Sequence, residues 1–226
     1  MNSIHDFNPE IKYHKRARRI KLRYDAENGR AIITLPPFTS KRSALSFAEN
    51  HIDWLIEQRD KSPDIILMKP GSIIPFLGID KTIIHEPDFP ARVIMTEDEI
   101  IVGGRIEGFG VRIENFLKKE ARLLIEPIAH ELADKTGKSF KRIHIRDTKS
   151  RWGSCSSTGT LSFSWRLIMT PPEILEYVVA HEVAHISEMN HSSAFWAIVD
   201  QLVDNSKKSR KWLKTEGQNL MLIKAC

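Results

Sequence analysis

His181-Glu182-Val183-Ala184-His185, continued by Ile186-Ser187-Glu188-Met189-Asn190-His191, is the stretch on which the reading of this chain turns. On a helix, residues four apart share a face, so His181 and His185 offer two imidazole nitrogens to one tetrahedral cation, with Glu182 beside them as a general base. In a chain of 226 residues with 9 His, the five-residue pattern arises by chance often enough to need support from its surroundings. Upstream, Thr170-Pro171-Pro172-Glu173 reads as a capping box with Pro in the first turn, which starts a helix where the motif requires one. Ile174, Leu175, Val178, Val179, Val183, Ala184 and Ile186 leave that helix little polar surface and predict burial on most sides. Two imidazoles and a carboxylate in such a setting are costly without partners, and a cation is the simplest compensation. A cluster of structural histidines without metal is the competing reading.

The helix must end before His191, which lies six positions past His185 and would otherwise point to another face. Asn190 is expected to take the left-handed conformation that ends a helix, and Ser192 to cap the next one. Glu188, three residues after His185, is a rival third ligand. His191 is preferred because zinc favours imidazole and a further ligand from the same helix face strains tetrahedral closure. The spacing also matches the metzincin pattern H-E-x-x-H-x-x-G-x-x-H, but Glu188 stands where the turn glycine belongs, so that family is excluded. A near-copy, His130-Glu131-Leu132-Ala133-Asp134, lacks the second His. There Ile113, Phe116, Leu124, Ile128 and Leu132 form a core stripe, and the polar residues read as a solvated face.

Three neutral His leave one zinc position for water, whose pKa falls to about 7, and Glu182 can take its proton during attack on a carbonyl or phosphoryl centre. Arg166, Arg151 and Tyr177 are candidates for holding the developing oxyanion. Tyr177 sits one turn before His181; a buried structural tyrosine is its alternative reading. Residues 151–167 read as a strand, a glycine-containing turn and a second strand. Leu161, Phe163 and Trp165 alternate with Ser162, Ser164 and Arg166, so one face packs and the other, with Arg166, faces a cleft where an extended peptide could pair. A structural ion pair for Arg166 is an equal alternative. Cys155 reads as a packed thiol rather than a nucleophile or fourth ligand.

Arg151-Trp152-Gly153-Ser154-Cys155, Trp165-Arg166-Leu167, His181 to His185, and Asn190-His191-Ser192 with Phe195-Trp196 together resemble the YgjP-like family of metal-dependent hydrolases. The resemblance extends through the basic amino-terminal strands and Leu35-Pro36-Pro37; Ser164 departs from it, at a position where Asn is expected. It implies a zincin-like metallopeptidase related to the WLM and SprT-like families, with His181, His185 and His191 as zinc ligands and Glu182 as catalytic base. Peptide or protein substrates follow first. Hydrolysis of nucleoside triphosphates is the alternative, although the chain has no Walker-type phosphate loop. A third class, a nucleic-acid-associated module with structural zinc, follows from SprT-like relatives that act on DNA-attached proteins.

The net charge of +5 is concentrated in Lys15, Arg16, Arg18, Arg19, Lys21 and Arg23, and in Lys207, Lys208, Arg210, Lys211 and Lys214. Such clusters are read first as solvated faces, so a nucleic-acid partner is not favoured. The expected fold class is α+β: a strand-rich amino-terminal lobe over 1–105 with one helix near 41–60, then a zincin-like helical lobe over 106–226. Asn28-Gly29 should turn a hairpin. Turns are also expected at Lys69-Pro70-Gly71, Pro87-Asp88 and Glu97-Asp98, with Gly103 to Gly110 as linker. No apolar run reaches a membrane span, the opening Met1-Asn2-Ser3-Ile4-His5-Asp6 lacks a signal-peptide core, and only two Cys are present, so a cytoplasmic protein is expected.

Overall fold

Alternation of apolar and basic residues around position 20 builds a sheet. A computed structural model describes residues 3–26, 28–61, 65–148 and 150–226, in two compact units, Met1–Ile65 and Ile66–Cys226. Met1 and Asn2 of the opening stretch lie outside the described residues. In the first unit, β1 (Glu10–Tyr13), β2 (Lys21–Asp25) and β3 (Arg30–Leu35) take the order β1-β3-β2, with β1 parallel and β2 antiparallel to β3. The central β3 buries Ala31, Ile32, Ile33 and Leu35, whereas the basic side chains of residues 15–23 are exposed, as expected of a solvated face. Gly29 turns the β2–β3 connection at φ 61°, a left-handed conformation that glycine adopts without strain.

The single helix expected over 41–60 is two, α1 (Lys41–Glu49) and α2 (Ile52–Lys61). The break has a local cause: His51 Nδ1 bonds the Phe47 carbonyl at 2.7 Å and takes an acceptor that the next helical turn would have used. Ser40 caps α1, its Oγ accepting from Ser43 N at 3.0 Å. Ala44, Ala48 and Leu55 then complete a core with Ile4, Phe7, Ala31, Ile33 and Leu35.

The second unit begins with β4 (Ile66–Met68), β5 (Ile73–Phe76), β6 (Ile79–Glu86), β7 (Val93–Met95) and β8 (Glu99–Gly103), and continues into the long α3 (Phe109–Lys135). The strands β5-β6-β8-β7 form one sheet whose Ile74, Phe76, Ile83, Ile100 and Val102 share a core with Phe109, Ile113 and Leu117 of α3. The division between units therefore falls at Ile65/Ile66, not near residue 105 where the sequence was read to divide. Gly103 to Gly110 is likewise no linker: Gly104 ends β8 at φ 82°, and Gly110 is buried in the first turn of α3, where a Cβ would overlap the Cys226 carbonyl oxygen. The fully buried stripe of α3 is Ile113, Leu117, Ala121, Ile125 and Ala129; Phe116, Leu124 and Ile128 flank it half-buried, and His130, Glu131 and Asp134 face solvent.

Next come β9 (Arg142–Arg146), β10 (Gly153–Cys155) and β11 (Thr160–Ser164), then α4 (Pro172–Ala184), α5 (Ser193–Leu202), α6 (Ser206–Lys214), α7 (Gly217–Leu220) and β12 (Ile223–Ala225). The expected hairpin forms as antiparallel β10–β11, turned at Gly159 with φ 76°, and β9 joins β11 in parallel to give the order β10-β11-β9. The terminal β12 returns to pair in parallel with β4. The chain is thus mixed α+β. Among the described residues no helix is long and apolar enough to cross a membrane.

Candidate metal centre

The helix carrying the motif forms for the reasons its sequence suggests, with different ends. α4 is buried through Ile174, Leu175, Tyr177, Val178, Val179, Ala180, Glu182, Val183 and Ala184. No capping box starts it, because the paired prolines move the cap to Pro171. The Thr170 hydroxyl instead donates to Leu167 O at 2.8 Å, closing the preceding 3-10 turn (Trp165–Met169). At the other end α4 stops at Ala184, and the Ser187 and Glu188 amides both donate to its carbonyl, at 3.1 and 3.0 Å. Asn190 does not adopt the left-handed conformation expected of it. Its Oδ1 accepts from Ser192 N at 2.9 Å, and this side-chain turn reverses the chain at no cost in backbone strain. Ser192 caps α5 as expected, with Oγ accepting from Phe195 N at 3.3 Å.

This corner brings His191 back to α4. His191 Nε2 lies 3.1 Å from His181 Nε2, and one ring nitrogen from each of His181, His185 and His191 falls within 4.8 Å of the others. Tetrahedral zinc with bonds of 2.0–2.1 Å places its ligand nitrogens about 3.3 Å apart, so the donor set fits such an ion with small adjustments. His185 Nδ1 pairs with the Glu188 carbonyl at 2.9 Å, which orients that ring and leaves its Nε2 free. Glu188 thus contributes a backbone oxygen, and its carboxylate lies outside the converging group. Burial, followed by the charges of His185, His191 and Arg210, pushes His181 down to about 4. Burial also lowers His185. Both imidazoles are therefore neutral near pH 7, the form that binds metal.

Two aromatic side chains that carried no assigned role wedge the imidazoles together. The Phe195 ring lies 4.9, 4.5 and 4.8 Å from those of His181, His185 and His191, and Trp196 stacks on His191 at 5.8 Å and 24°. His181 Nδ1 is buried without a partner, so on that side packing rather than a hydrogen bond holds the ring. The signal was available: Phe195 and Trp196 fall in the first turn after a cap that follows His191 directly.

Glu182 is 5% exposed, and its burial pushes the carboxyl up to about 8 against the opposing charge of Arg151. Gly153 of the edge strand β10 lies directly against it: a Cβ there would sit 2.6 Å from Glu182 Oε1. Nothing in the spacing of Gly153 along the chain signals this close approach. Tyr177 is 4% exposed with its ring 6.0 Å from that of His181, and burial raises its phenol to about 12, so it stays a donor. The Cys155 thiol is raised to about 11, first by burial and then by Glu182, which fits a packed thiol and not a nucleophile.

Arg166 departs from its expected place. The chain leaves β11 at Ser164 and enters the 3-10 turn, so the two-residue alternation ends before Trp165 and Arg166 turns inward. It is 3% exposed, donates Nε to Ile223 O at 2.8 Å, pairs with Asp147 and stacks on Trp165 at 4.3 Å. These are bonds that tie β12 to the sheet. Ser164, where Asn was expected, is fully buried and caps the turn by accepting from Arg166 N at 3.3 Å. The three imidazoles of α4 and the corner, with Glu182, Tyr177 and the charge of Arg151, are what the structure gathers at one place.

None of the curated proteins matches this chain. Among solved structures, the metallopeptidase zymogen of Pyrococcus abyssi abylysin is similar at 24% identity with a TM-score of 0.37, over 41% of this chain and 95% of that one. The metallopeptidase zymogen of Methanocaldococcus jannaschii jannalysin is similar at 24% identity with a TM-score of 0.35, over 42% and 95%. The model of the YgjP-like metallopeptidase domain matches residues 18–216, a span that takes in β2 through α6 and every residue of the His cluster. On that match, the chain belongs to the YgjP-like family of metallopeptidase-domain proteins.

Proposed function

We propose that this chain is a zinc-dependent peptidase in which His181, His185 and His191 hold the metal and Glu182 is the general base. The observation that carries the reading is the convergence of three imidazoles, two of them with Nε2 atoms 3.1 Å apart, on the helix that also buries a carboxyl. A bound zinc ion supplies Lewis-acid polarisation of the scissile carbonyl and an acidified water. Glu182 takes the proton of the attacking water and passes it to the leaving amine, and a cation held beside it favours the ionised form that accepts that proton. Tyr177, neutral across the physiological range, donates to the developing oxyanion. Arg151 acts through its charge on Glu182 and favours the ionised form that accepts a proton. Phe195 and Trp196 exclude water behind the imidazoles.

Glu182→Gln tests the assignment. It is expected to retain zinc and to lose hydrolysis of a peptide library by about 10²–10⁴-fold, the usual contribution of a general base. Unchanged turnover would refute the role.

A further inference from the structure

α6 carries no acidic residue, and its two faces differ sharply. Ser206 and Ser209 are buried and Trp212 and Leu213 half-buried, while Lys207, Arg210, Lys211 and Lys214 are exposed and line one surface depression. Their spacing of i, i+3, i+4 and i+7 sets them in a single stripe. Among the described residues no carboxylate forms an ion pair with Lys207, Lys211 or Lys214. Like charges at this spacing oppose the helix that carries them, so the stripe is a face whose charge an external partner would relieve. Arg210 ties it to the His cluster: its guanidinium lies 4.2 Å from the centre of the Trp196 ring, and the same ring stacks on that of His191.

We propose that the exposed face of α6 recognises an acidic segment of the polypeptide substrate, with Arg210 as the specificity residue nearest the metal centre. The proposal rests on the peptidase reading, because a polypeptide held over the His cluster must run on across neighbouring surface, and Arg210 makes that surface basic. The stripe from Lys207 to Lys214 is about 10 Å long, which matches about three residues of extended chain. Two or three Asp or Glu side chains flanking the scissile bond satisfy it. Trp196 holds the Arg210 guanidinium against a flat apolar face, a contact that leaves its N–H donors available to a carboxylate.

The test uses zinc-loaded full-length Glu182→Gln protein, so that bound peptide is not consumed, with fluorescence anisotropy at low salt. The probes are a peptide ending in four Glu, its Gln counterpart, its Lys counterpart and an oligo-dT strand. The Glu peptide should bind about tenfold more tightly than the Gln peptide, as two or three partly exposed ion pairs provide. The Lys peptide should bind most weakly, a comparison that needs no further variant. The Glu preference should collapse in Arg210→Gln and in the combined Lys207→Gln/Lys211→Gln/Lys214→Gln variant. It should persist in Arg16→Gln/Arg18→Gln/Arg19→Gln, which removes equal charge from the first unit. Equal binding of Glu and Gln peptides, or a preference that survives the α6 changes, overturns the proposal. So does oligo-dT displacing the Glu peptide and losing its own binding in the same α6 variants. Wild-type protein is incubated with the same peptides: a Glu preference without hydrolysis supports the surface while refuting the peptidase reading.

Discussion

Glu182 and His181 sit one residue apart and are pushed in opposite directions by the same burial. The Glu182 carboxyl has a folded pKa of about 8 against 4.5 for the free group, so it stabilises the fold when protonated. That contribution is complete below pH 4.5 and lost as pH rises through 8. His181, at about 4 against 6.5, contributes stability above 6.5 that is lost as pH falls through 4. In metal-free protein, the urea midpoint should therefore decline between pH 6 and 8, and Glu182→Gln should flatten that decline; parallel profiles for the two proteins would contradict it. Gly153 acts on the same carboxyl. A Cβ at that position overlaps Glu182 from Cγ to the carboxyl, so Gly153→Ala should force that side chain to shift and displace the base. Turnover is expected to fall at least about tenfold with zinc content unchanged. Wild-type activity in this variant would show that the close approach has no role in placing Glu182.

The elements were legible where hydrophobic period alone decided them. The α4 helix, the β10–β11 hairpin and the Ser192 cap follow from residue spacing. What failed depended on local competition for hydrogen bonds. Thr170 closes a 3-10 turn in place of capping α4, Asn190 turns the chain through its side chain, and His51 splits one helix into two. Arg166 was misplaced for a related reason, since the 3-10 turn breaks the alternation on which its outward direction rested. Its pairing makes a prediction about stability rather than chemistry. Burial works against the charge of Asp147, but the Arg166 guanidinium and the Trp165 indole hold its carboxyl below the usual range. Asp147→Ala leaves the guanidinium buried and unpaired, although Asp147 itself is half-exposed, so a loss of about 2 kcal/mol is expected by chemical denaturation, with zinc content retained. Loss of zinc without loss of stability would place Arg166 in the site after all.

At the scale of the whole molecule, the α+β class was readable, and the division into units was not. The strands of residues 66–103 looked like a continuation of the amino-terminal sheet, because period-2 patterns carry no label for the core they join. Only the shared burial of Ile74, Ile83 and Ile100 with Ile113 and Leu117 assigns them to the second unit. The pairing of β12 with β4 was equally invisible, since a three-residue strand has too little pattern to announce a partner at the far end of the unit. The His cluster was legible because its three imidazoles lie within eleven consecutive residues, 181–191, where helix geometry and one corner determine their placement. Glu182, Gly153, Tyr177, Phe195 and Arg210 all take their meaning from that cluster. Its capacity for metal is therefore the central claim, and elemental mass spectrometry of the purified chain beside His181→Ala tests it most directly. About one zinc per chain in the wild type, abolished in the variant, is the predicted result. No zinc after the metal is supplied, or equal zinc in both proteins, would contradict it.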